Sequence, residues 1–244
     1  MNTRNRRLGH RRHGLIGAGA GLLVLTLAGP ALAVDGVIEI NQAKAAVGGV
    51  TTGDAPGFPV SITQSGSYRL TSDLTVGASL GGISVAAENV TLDLNGFTIF
   101  GGGGAFFSDG IGVGQMNVEV RNGTVRGFSR HGIFTNASTH YVRVIGVRSI
   151  SNALAGIELQ GQANLVDGCT ALNNGNSGIR ALDGSLVINS VARGNTIFGL
   201  SLSATTGYRS NVLTGNNGGD ANPQVGSGGL QLGSNVCGSD LVCP

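Results

Sequence analysis

Residues 152–182 read NALAGIELQGQANLVDGCTALNNGNSGIRAL, and this stretch contains the same short pattern twice. Each copy begins with an asparagine, at Asn152 and at Asn174, and a glycine–isoleucine pair follows four residues later. Short alternations of apolar and polar residues lie between the copies, as is typical of strands with one buried face. The stretch therefore predicts a repeating unit of about 22 residues that is built from short strands.

The same pattern continues in both directions along the chain. A glycine followed by an aliphatic residue recurs with separations of 22, 24, 22 and 21 residues, at Gly110, Gly132, Gly156, Gly178 and Gly199. The asparagine series continues at Asn195 and Asn216. We expect the glycines to occupy corners that need a positive φ, and the asparagines to form a side-chain ladder between successive units.

An all-β fold, the parallel β-helix, is the architecture that fits this period. Helical repeats need a 3.6-residue periodicity, leucine-rich repeats need an LxxLxL spacing, and a propeller blade needs about twice the period. The sequence has none of these patterns. Strands too short to form a core alone bury a continuous apolar column when equivalent strands stack at about 4.8 Å. The composition agrees, with 44 glycines and only 11% charged residues.

Four segments carry a resemblance to a known family. They are SITQSGSYRLTSDLTV (61–76), AENVTLDLNGFTIFG (87–101), NVEVRNGTVRGF (117–128) and the C-terminal SNVCGSDLVCP (234–244). In these segments the chain resembles secreted bacterial right-handed parallel β-helix repeat proteins of the pectate-lyase-like superfamily. The resemblance implies a single-stranded, right-handed solenoid. The motifs that match are structural, so they imply a fold rather than an activity.

The first 33 residues have the composition of a cleaved secretory signal. Five arginines precede an apolar stretch over residues 15–28, and Ala31-Leu32-Ala33 supplies a small-x-small cleavage pattern. We therefore predict a secreted or periplasmic protein with no membrane span in its mature chain. Without these residues the chain has 10 basic and 13 acidic residues, a net charge of −3. Because no basic run is left, we expect no binding to nucleic acid.

The rest of the chain divides into three predicted regions. Residues 34–85 form an N-terminal cap and the first strands, residues 86–216 form the repeating coils, and residues 217–244 form a C-terminal cap. Cys237 and Cys243 lie close together in that cap, and we expect them to form a disulfide. Cys169 falls inside a repeat and is expected to be a buried, inert side chain.

The first candidate site consists of charged residues on outward-facing strand positions. Aligning Leu94 with Val120 and Val142 predicts that Asp93 stacks on Glu119 and then on Tyr141. The same alignment stacks Arg121 with Arg143. The site is thus predicted to contain Asp93, Glu119, Arg121 and Arg143 as candidate catalytic residues, with Tyr141, Arg121 and Arg143 as ligand contacts. Such a face suits an acidic sugar, whereas mutually compensating surface charges are the alternative.

The second candidate site is a corner of the repeat. Asp109 and His131 each precede a repeat glycine by one residue, and such a pair is suited to acid–base chemistry. A turn-capping role for Asp109 is the alternative. No cofactor is predicted and no Cys or His spacing suits a metal, although Ca²⁺ between carboxylates is compatible with the charged face.

These observations predict a secreted β-helix module that contacts extracellular or cell-surface polysaccharide and has no clear catalytic set. One alternative is a carbohydrate-active enzyme, either a polysaccharide lyase or an epimerase that acts on uronates. The other alternative is a structural scaffold that binds protein partners.

Overall fold

The computed structural model describes residues 36–105, 108–226, 228–240 and 243, so the predicted signal segment 1–33 lies outside the described residues. These described residues form one compact unit. Most strands have three residues, of which the middle one differs in burial from its two neighbours. Such strands cannot form a core singly, and here all the paired strands of the coils run parallel and stack on their equivalents in the next coil.

The first face of the solenoid is an eight-stranded parallel sheet. Its strands are β2 (Val60–Ile62), β5 (Ile83–Val85), β8 (Ile111–Val113), β10 (Ile133–Thr135), β12 (Ile157–Leu159), β15 (Ile179–Ala181), β18 (Leu200–Leu202) and β21 (Val225–Gly226). Successive strands are separated by one coil, which gives about 7 turns of roughly 24 residues each. The predicted repeat of about 22 residues and the all-β parallel solenoid are thus confirmed.

The second and third faces belong to one fifteen-stranded sheet. The second face contains β1 (Ile38–Ile40), β3 (Gly66–Leu70), β6 (Val90–Asp93), the first half of β9 (Val118–Arg126), the first half of β11 (Arg143–Ile150), β13 (Leu165–Asp167), β16 (Leu186–Ile188), β19 (Gly207–Arg209) and β22 (Leu230–Gln231). The third face contains β4 (Leu74–Thr75), β7 (Thr98–Phe100), the second halves of β9 and β11, β14 (Thr170–Leu172), β17 (Val191–Arg193), β20 (Val212–Thr214) and β23 (Val236–Cys237).

A single left-handed residue turns the chain from the second face to the third. Asn122 has φ 58° within β9, and Gly146 has φ 61° within β11. The equivalent corners of later coils are Gly168, Asn189 and Ser210, with φ between 54° and 61°. Glycine and asparagine adopt this conformation at the lowest steric cost, which explains their frequency at this point of the repeat.

Aliphatic side chains fill the inside of the solenoid. On the first face, Ile111, Ile133, Ile157, Ile179 and Leu200 stack in register and are completely buried. Full burial of a side chain of this size contributes about 1.5–3 kcal/mol relative to exposure. The stacked columns thus provide the stability that no single coil could supply.

The predicted asparagine ladder is confirmed inside the corner that follows the third face. We use the name asparagine ladder for Asn152, Asn174, Asn195 and Asn216, each at most 2% exposed. The side-chain amide of each residue donates to the side-chain oxygen of the next at 3.1, 3.0 and 2.8 Å, and Asn216 donates to Gln224 at 2.9 Å. The backbone N–H of each ladder residue donates to the same oxygen of the next coil.

The expectation that the repeat glycines need a positive φ is wrong. Gly156 and Gly178 are not among the residues with positive φ. A Cβ at Gly178 would lie 2.7 Å from the amide nitrogen of Asn195 and 2.9 Å from the carbonyl oxygen of Gly199. Glycine is therefore required there because the strand entrance packs directly against the asparagine ladder, where a side chain has no room.

Both ends of the solenoid have additional structure. Near the N-terminus, helix α1 (Gln42–Val47) begins after Asn41, whose side chain accepts the backbone N–H of Lys44 at 2.9 Å. Stacking of the first face starts at Val60, within the region predicted to hold the cap and first strands. Near the C-terminus, Cys237 and Cys243 form the predicted disulfide. No helix in the described part of the chain is long and apolar enough to cross a membrane.

Candidate functional site

The structure places Asp93, Glu119, Arg121 and Arg143 on the outward side of the second face, but in a different register from the predicted one. Asp93 pairs with Arg121 across the strands, and Glu119 pairs with Arg143. The predicted stacking of Asp93 on Glu119, and of Arg121 on Arg143, is therefore wrong by two residues. Because side chains alternate with a period of two, this shift keeps the four residues on the same side of the sheet.

We call these four residues the charge ladder, because opposite charges alternate along it. Arg121 contacts Asp93 at 3.1 Å and Glu119 at 3.2 Å, and Arg143 contacts Glu119 at 3.1 Å. The arginine side chains are 41% and 54% exposed. Exposed ion pairs of this kind contribute little to stability, typically below about 1 kcal/mol each. The ladder neutralises itself and presents no unpaired carboxylate.

Tyr141 is not part of the charge ladder. It occupies the corner before β11 with φ 59°, is 59% exposed, and packs edge-on against His140 with ring centroids 6.1 Å apart. The predicted stack of Asp93, Glu119 and Tyr141 is therefore absent from this face. A ligand contact by Tyr141 remains a prediction for the corner alone.

Asp109 and His131 lie in equivalent positions of neighbouring coils, as predicted, but their side chains do not form a hydrogen-bonded pair. One carboxylate oxygen of Asp109 accepts the backbone N–H of His131 at 3.1 Å, and the other accepts from Arg130 at 3.1 Å. Burial raises the pKa of Asp109, and the His131 N–H and Arg130 oppose this effect. Asp109 thus ties two coils together and orients Arg130.

The imidazole of His131 is buried and neutral at ordinary pH. Its Nδ1 accepts the backbone N–H of Ala155 at 3.2 Å, so the ring proton of the neutral form lies on Nε2. Burial, followed by the charge of Arg130, lowers the pKa of His131 to about 4. The ring stacks on Phe134 with a centroid distance of 5.4 Å. His131 can therefore donate one hydrogen bond to a ligand.

A groove next to His131 contains two charged residues that the sequence analysis did not select. Glu158 occupies the outward position of β12, yet its side chain is only 5% exposed and is paired with Arg180 on β15. Gln160 donates to the same carboxylate at 3.1 Å. The recess beside them has a volume of about 360 Å³ and is lined by His131, Glu158, Gln160, Ser177, Arg180 and Ser201, among others. We call this recess the groove.

The outward positions of the first face form a track through the groove. Gly112, Phe134, Glu158, Arg180 and Ser201 stack in strict register. The guanidinium of Arg130 lies 4.2 Å from the centre of the Phe134 ring, which extends the polar network toward Asp109. Asp109 also lines a second recess of about 330 Å³ on this face. Arg180 in the track and Arg130 beside it are thus each held in place by a carboxylate and retain further N–H donors.

Nothing in the described residues points to a metal centre. No group of three or more His, Cys, Asp or Glu side chains is arranged to hold a metal ion in that part of the chain. Cys169 is buried, and burial raises the pKa of its thiol to about 12, so it is the inert side chain that we predicted.

Comparison with known proteins places the chain among other solenoids of this kind. A solved structure, the A-module of the mannuronan C-5 epimerase AlgE4 from Azotobacter vinelandii, superposes with a TM-score of 0.53 at 15% sequence identity. The match covers 81% of this chain and 65% of that structure, so it shows a common fold. No curated protein sequence matches the chain.

A family model describes the repeating part of the molecule. The model of the right-handed β-helix region matches residues 60–218. These bounds begin at the first strand of the first face, β2, and extend past the end of the asparagine ladder. The stacked coils, the parallel register and this match agree, and the chain belongs to the right-handed β-helix family.

Proposed function

We propose that this protein binds a polysaccharide chain along the first face, with the groove as its central subsite. The observation that carries this proposal is the pair formed by Glu158 and Arg180. An outward strand position of a solenoid normally faces water, but the carboxylate of Glu158 is almost completely buried by its neighbours. Burying a charge is costly unless it is paired, so the pair of Glu158 and Arg180 differs from ordinary surface charges that are solvated by water.

The polar groups around that pair suit the hydroxyl and carboxylate groups of sugars. Arg180 is 40% exposed and contacts Glu158 through one nitrogen, which leaves further N–H donors for a ligand. The Nε2–H of His131 and the hydroxyls of Ser177 and Ser201 add short, fixed donors around the recess. A few polar groups converging on a recess is the usual composition of a binding site.

The shape of the first face favours a chain over a small molecule. The outward track from Gly112 to Ser201 covers four strand spacings, which is about 19 Å. The two recesses on this face have volumes of about 360 and 330 Å³ and share a network that includes Asp109, Arg130 and Phe134. A linear polymer of several sugar residues could contact both.

Two further observations support the proposal. The structural neighbour is, by its name, an epimerase of the polysaccharide mannuronan, and it has the same fold. The disulfide between Cys237 and Cys243 is typical of proteins in oxidising compartments, where extracellular polysaccharides are found. Secretion by the predicted signal segment is part of this proposal.

The test is a substitution that fills the groove without removing a charge. Ser201→Tyr adds a large side chain at the outward position next to Arg180, and we expect it to weaken polysaccharide binding by at least about tenfold. Ser67→Tyr is the matched control, because Ser67 is an exposed outward residue of β3 on the second face. Affinity would be measured on a panel of neutral and uronate polysaccharides by co-sedimentation and calorimetry.

The same samples separate binding from turnover. Unsaturated uronate ends or altered C-5 configuration of the uronates, lost in Ser201→Tyr, would establish the enzyme alternative at the groove. Equal affinity of the wild type, Ser201→Tyr and Ser67→Tyr for every bound polysaccharide would refute the assignment of the groove. A wild-type protein that binds no polysaccharide of the panel would favour the scaffold alternative.

A further inference from the structure

The outward positions of the third face contain arginines without acidic partners. Three of these positions, one each in β9, β11 and β17, are Arg126, Arg148 and Arg193, and all three side chains are exposed. The remaining outward positions within the strands of this face are uncharged, namely Thr75, Thr98, Phe100, Thr124, Ile150, Thr170, Leu172, Val191, Val212, Thr214 and Val236. Asp73, directly before β4, accepts the backbone N–H of Thr98 at 2.8 Å. We call Arg126, Arg148 and Arg193 the arginine surface.

Most arginines outside the third face are paired with acids. An acidic side chain lies within 4.0 Å of five of these six described arginines, which are Arg69, Arg121, Arg130, Arg143 and Arg180, whereas Arg209 of β19 forms no such pair. Among the described residues, none of the three arginines of the third face forms such a pair. The chain after residue 33 has a net charge of −3, so a face with three positive charges is a local reversal of sign.

The register arranges these arginines along the axis of the solenoid. Arg126 stacks on Ile150, Ile150 on Leu172, and Leu172 on Arg193. Arg126 and Arg193 are therefore three strand spacings apart, about 14 Å. Arg148 lies two residues before Ile150 on the same side of β11, so it flanks the line between them. This spacing suits a linear ligand with repeated negative charges better than a single ion.

A recess opens beside the last of these arginines. It has a volume of about 520 Å³ and is lined by Leu172, Asn173, Arg193, Gly194 and Gly215. Gly194 and Gly215 have left-handed backbone conformations, with φ of 65° and 61°, and contribute no side chain to the wall. The corner beside Arg193 is thus open, and a bulky ligand can reach the guanidinium from the side.

We propose that the arginine surface binds a linear polysaccharide that carries carboxylate or sulfate groups, separately from the groove. Arginine binds such groups through two parallel N–H donors, and no carboxylate of the described residues lies within 4.0 Å of these three guanidinium groups to compete for them. Single-stranded nucleic acid is disfavoured because bases require aromatic stacking platforms. Phe100 is the aromatic residue at the described outward positions of this face, and the Arg126 guanidinium already lies 6.0 Å from its ring centre.

The experiment compares two triple substitutions that change the net charge equally. The first is Arg126→Gln with Arg148→Gln and Arg193→Gln. The matched control is Lys44→Gln with Arg69→Gln and Arg209→Gln, which removes three positive charges outside the third face. Both are made in the wild type and in Ser201→Tyr, so that binding in the groove is separated from binding on the third face.

The probes are polygalacturonate, dextran sulfate and uncharged dextran, with a single-stranded DNA oligomer as competitor. We expect the arginine triple variant to bind one or both acidic polymers at least about tenfold more weakly than the control, with a shallower dependence on salt concentration. The loss should be the same in the Ser201→Tyr background. Polygalacturonate and dextran sulfate distinguish carboxylate from sulfate recognition.

Three results would overturn the proposal. They are equal binding by the arginine triple variant and its control, failure of the Ser201→Tyr protein to bind either acidic polymer at low salt, and tighter binding of the DNA than of both polymers. Unchanged thermal unfolding of both triple variants excludes a folding defect as the cause of lost binding.

Discussion

Two ladders run along this solenoid, and they differ in where their polar groups are placed. The asparagine ladder is buried and neutral, and every rung is a hydrogen bond between adjacent coils. The charge ladder lies on the second face, and its arginines are 41% and 54% exposed. Water competes for the charged rungs but cannot reach the amides. The comparison teaches that the buried amides of the asparagine ladder hold neighbouring coils together, whereas the exposed ion pairs of the charge ladder contribute little to stability.

Removing one rung of the asparagine ladder should have the largest effect. Asn195→Leu keeps the branched shape of the side chain, but the backbone N–H of Asn174 and one N–H of its side-chain amide lose their acceptor, and the Ala171 carbonyl loses the amide that donates to it. Because each buried unsatisfied group costs about 1–3 kcal/mol, we expect unfolding to require about 4 kcal/mol less. Denaturant unfolding measures this change. Asn222→Leu, in an exposed loop, serves as the control and should shift stability by less than about 0.5 kcal/mol.

If Asn195→Leu lowered the free energy of unfolding no more than Asn222→Leu does, the distinction between the two ladders would be removed. It would mean that the apolar columns alone hold the coils in place.

Lowering the pH should destabilise the protein through His131, a buried polar residue that, unlike the asparagines, can titrate. The pKa of His131 is about 4 in the folded chain and 6.5 in its unperturbed state. Between these values the unfolded chain binds a proton that the folded chain does not. Stability should therefore fall as the pH falls through this window, by up to about 3 kcal/mol. Asp109, whose pKa is raised, offsets part of the loss at the acid end.

Unfolding in denaturant at pH 7 and at pH 5 measures this slope, and His131→Gln should flatten it. A slope that is the same in both proteins would show that His131 is not the group responsible. Asn195→Leu should lower stability equally at both pH values, since an amide does not titrate.

Breaking the charge ladder should have the smallest effect. Arg121→Gln removes the contacts to Asp93 and Glu119, both of which remain accessible to water. We expect a loss below about 1 kcal/mol that shrinks further at high salt. Chemical unfolding at low and high salt provides the measurement. A loss as large as that of Asn195→Leu would contradict the contrast between the two ladders.

The sequence predicted those parts of the molecule that the repeat determines. The period gave the parallel coils, and the spacing of Asn152 and Asn174 gave the inner ladder. The register of the second face was not predictable, because an alternating strand looks the same after a shift of two residues. The pairing of Asp93 with Arg121 is fixed instead by the left-handed corner at Asn122 and the loops before each strand.

The groove was missed although its signal is present in the aligned repeats. The residue after each glycine–isoleucine pair points outward, and in consecutive coils this residue is Phe134, Glu158 and Arg180. The adjacent opposite charges in this column predict the pair of Glu158 and Arg180. The burial of Glu158 could not have been found in this way, since it depends on neighbours from three coils.

The asparagine ladder also has a consequence for how such a molecule changes in length. Each asparagine offers the next coil the same donor and acceptor groups that it takes from the previous one. The contacts between successive coils are therefore equivalent. A whole coil can be inserted or deleted without changing the residues that form them. Every added coil would lengthen the outward track by one strand spacing, about 4.8 Å. Duplication of a single repeat would thus extend the proposed polysaccharide-binding surface by a fixed increment.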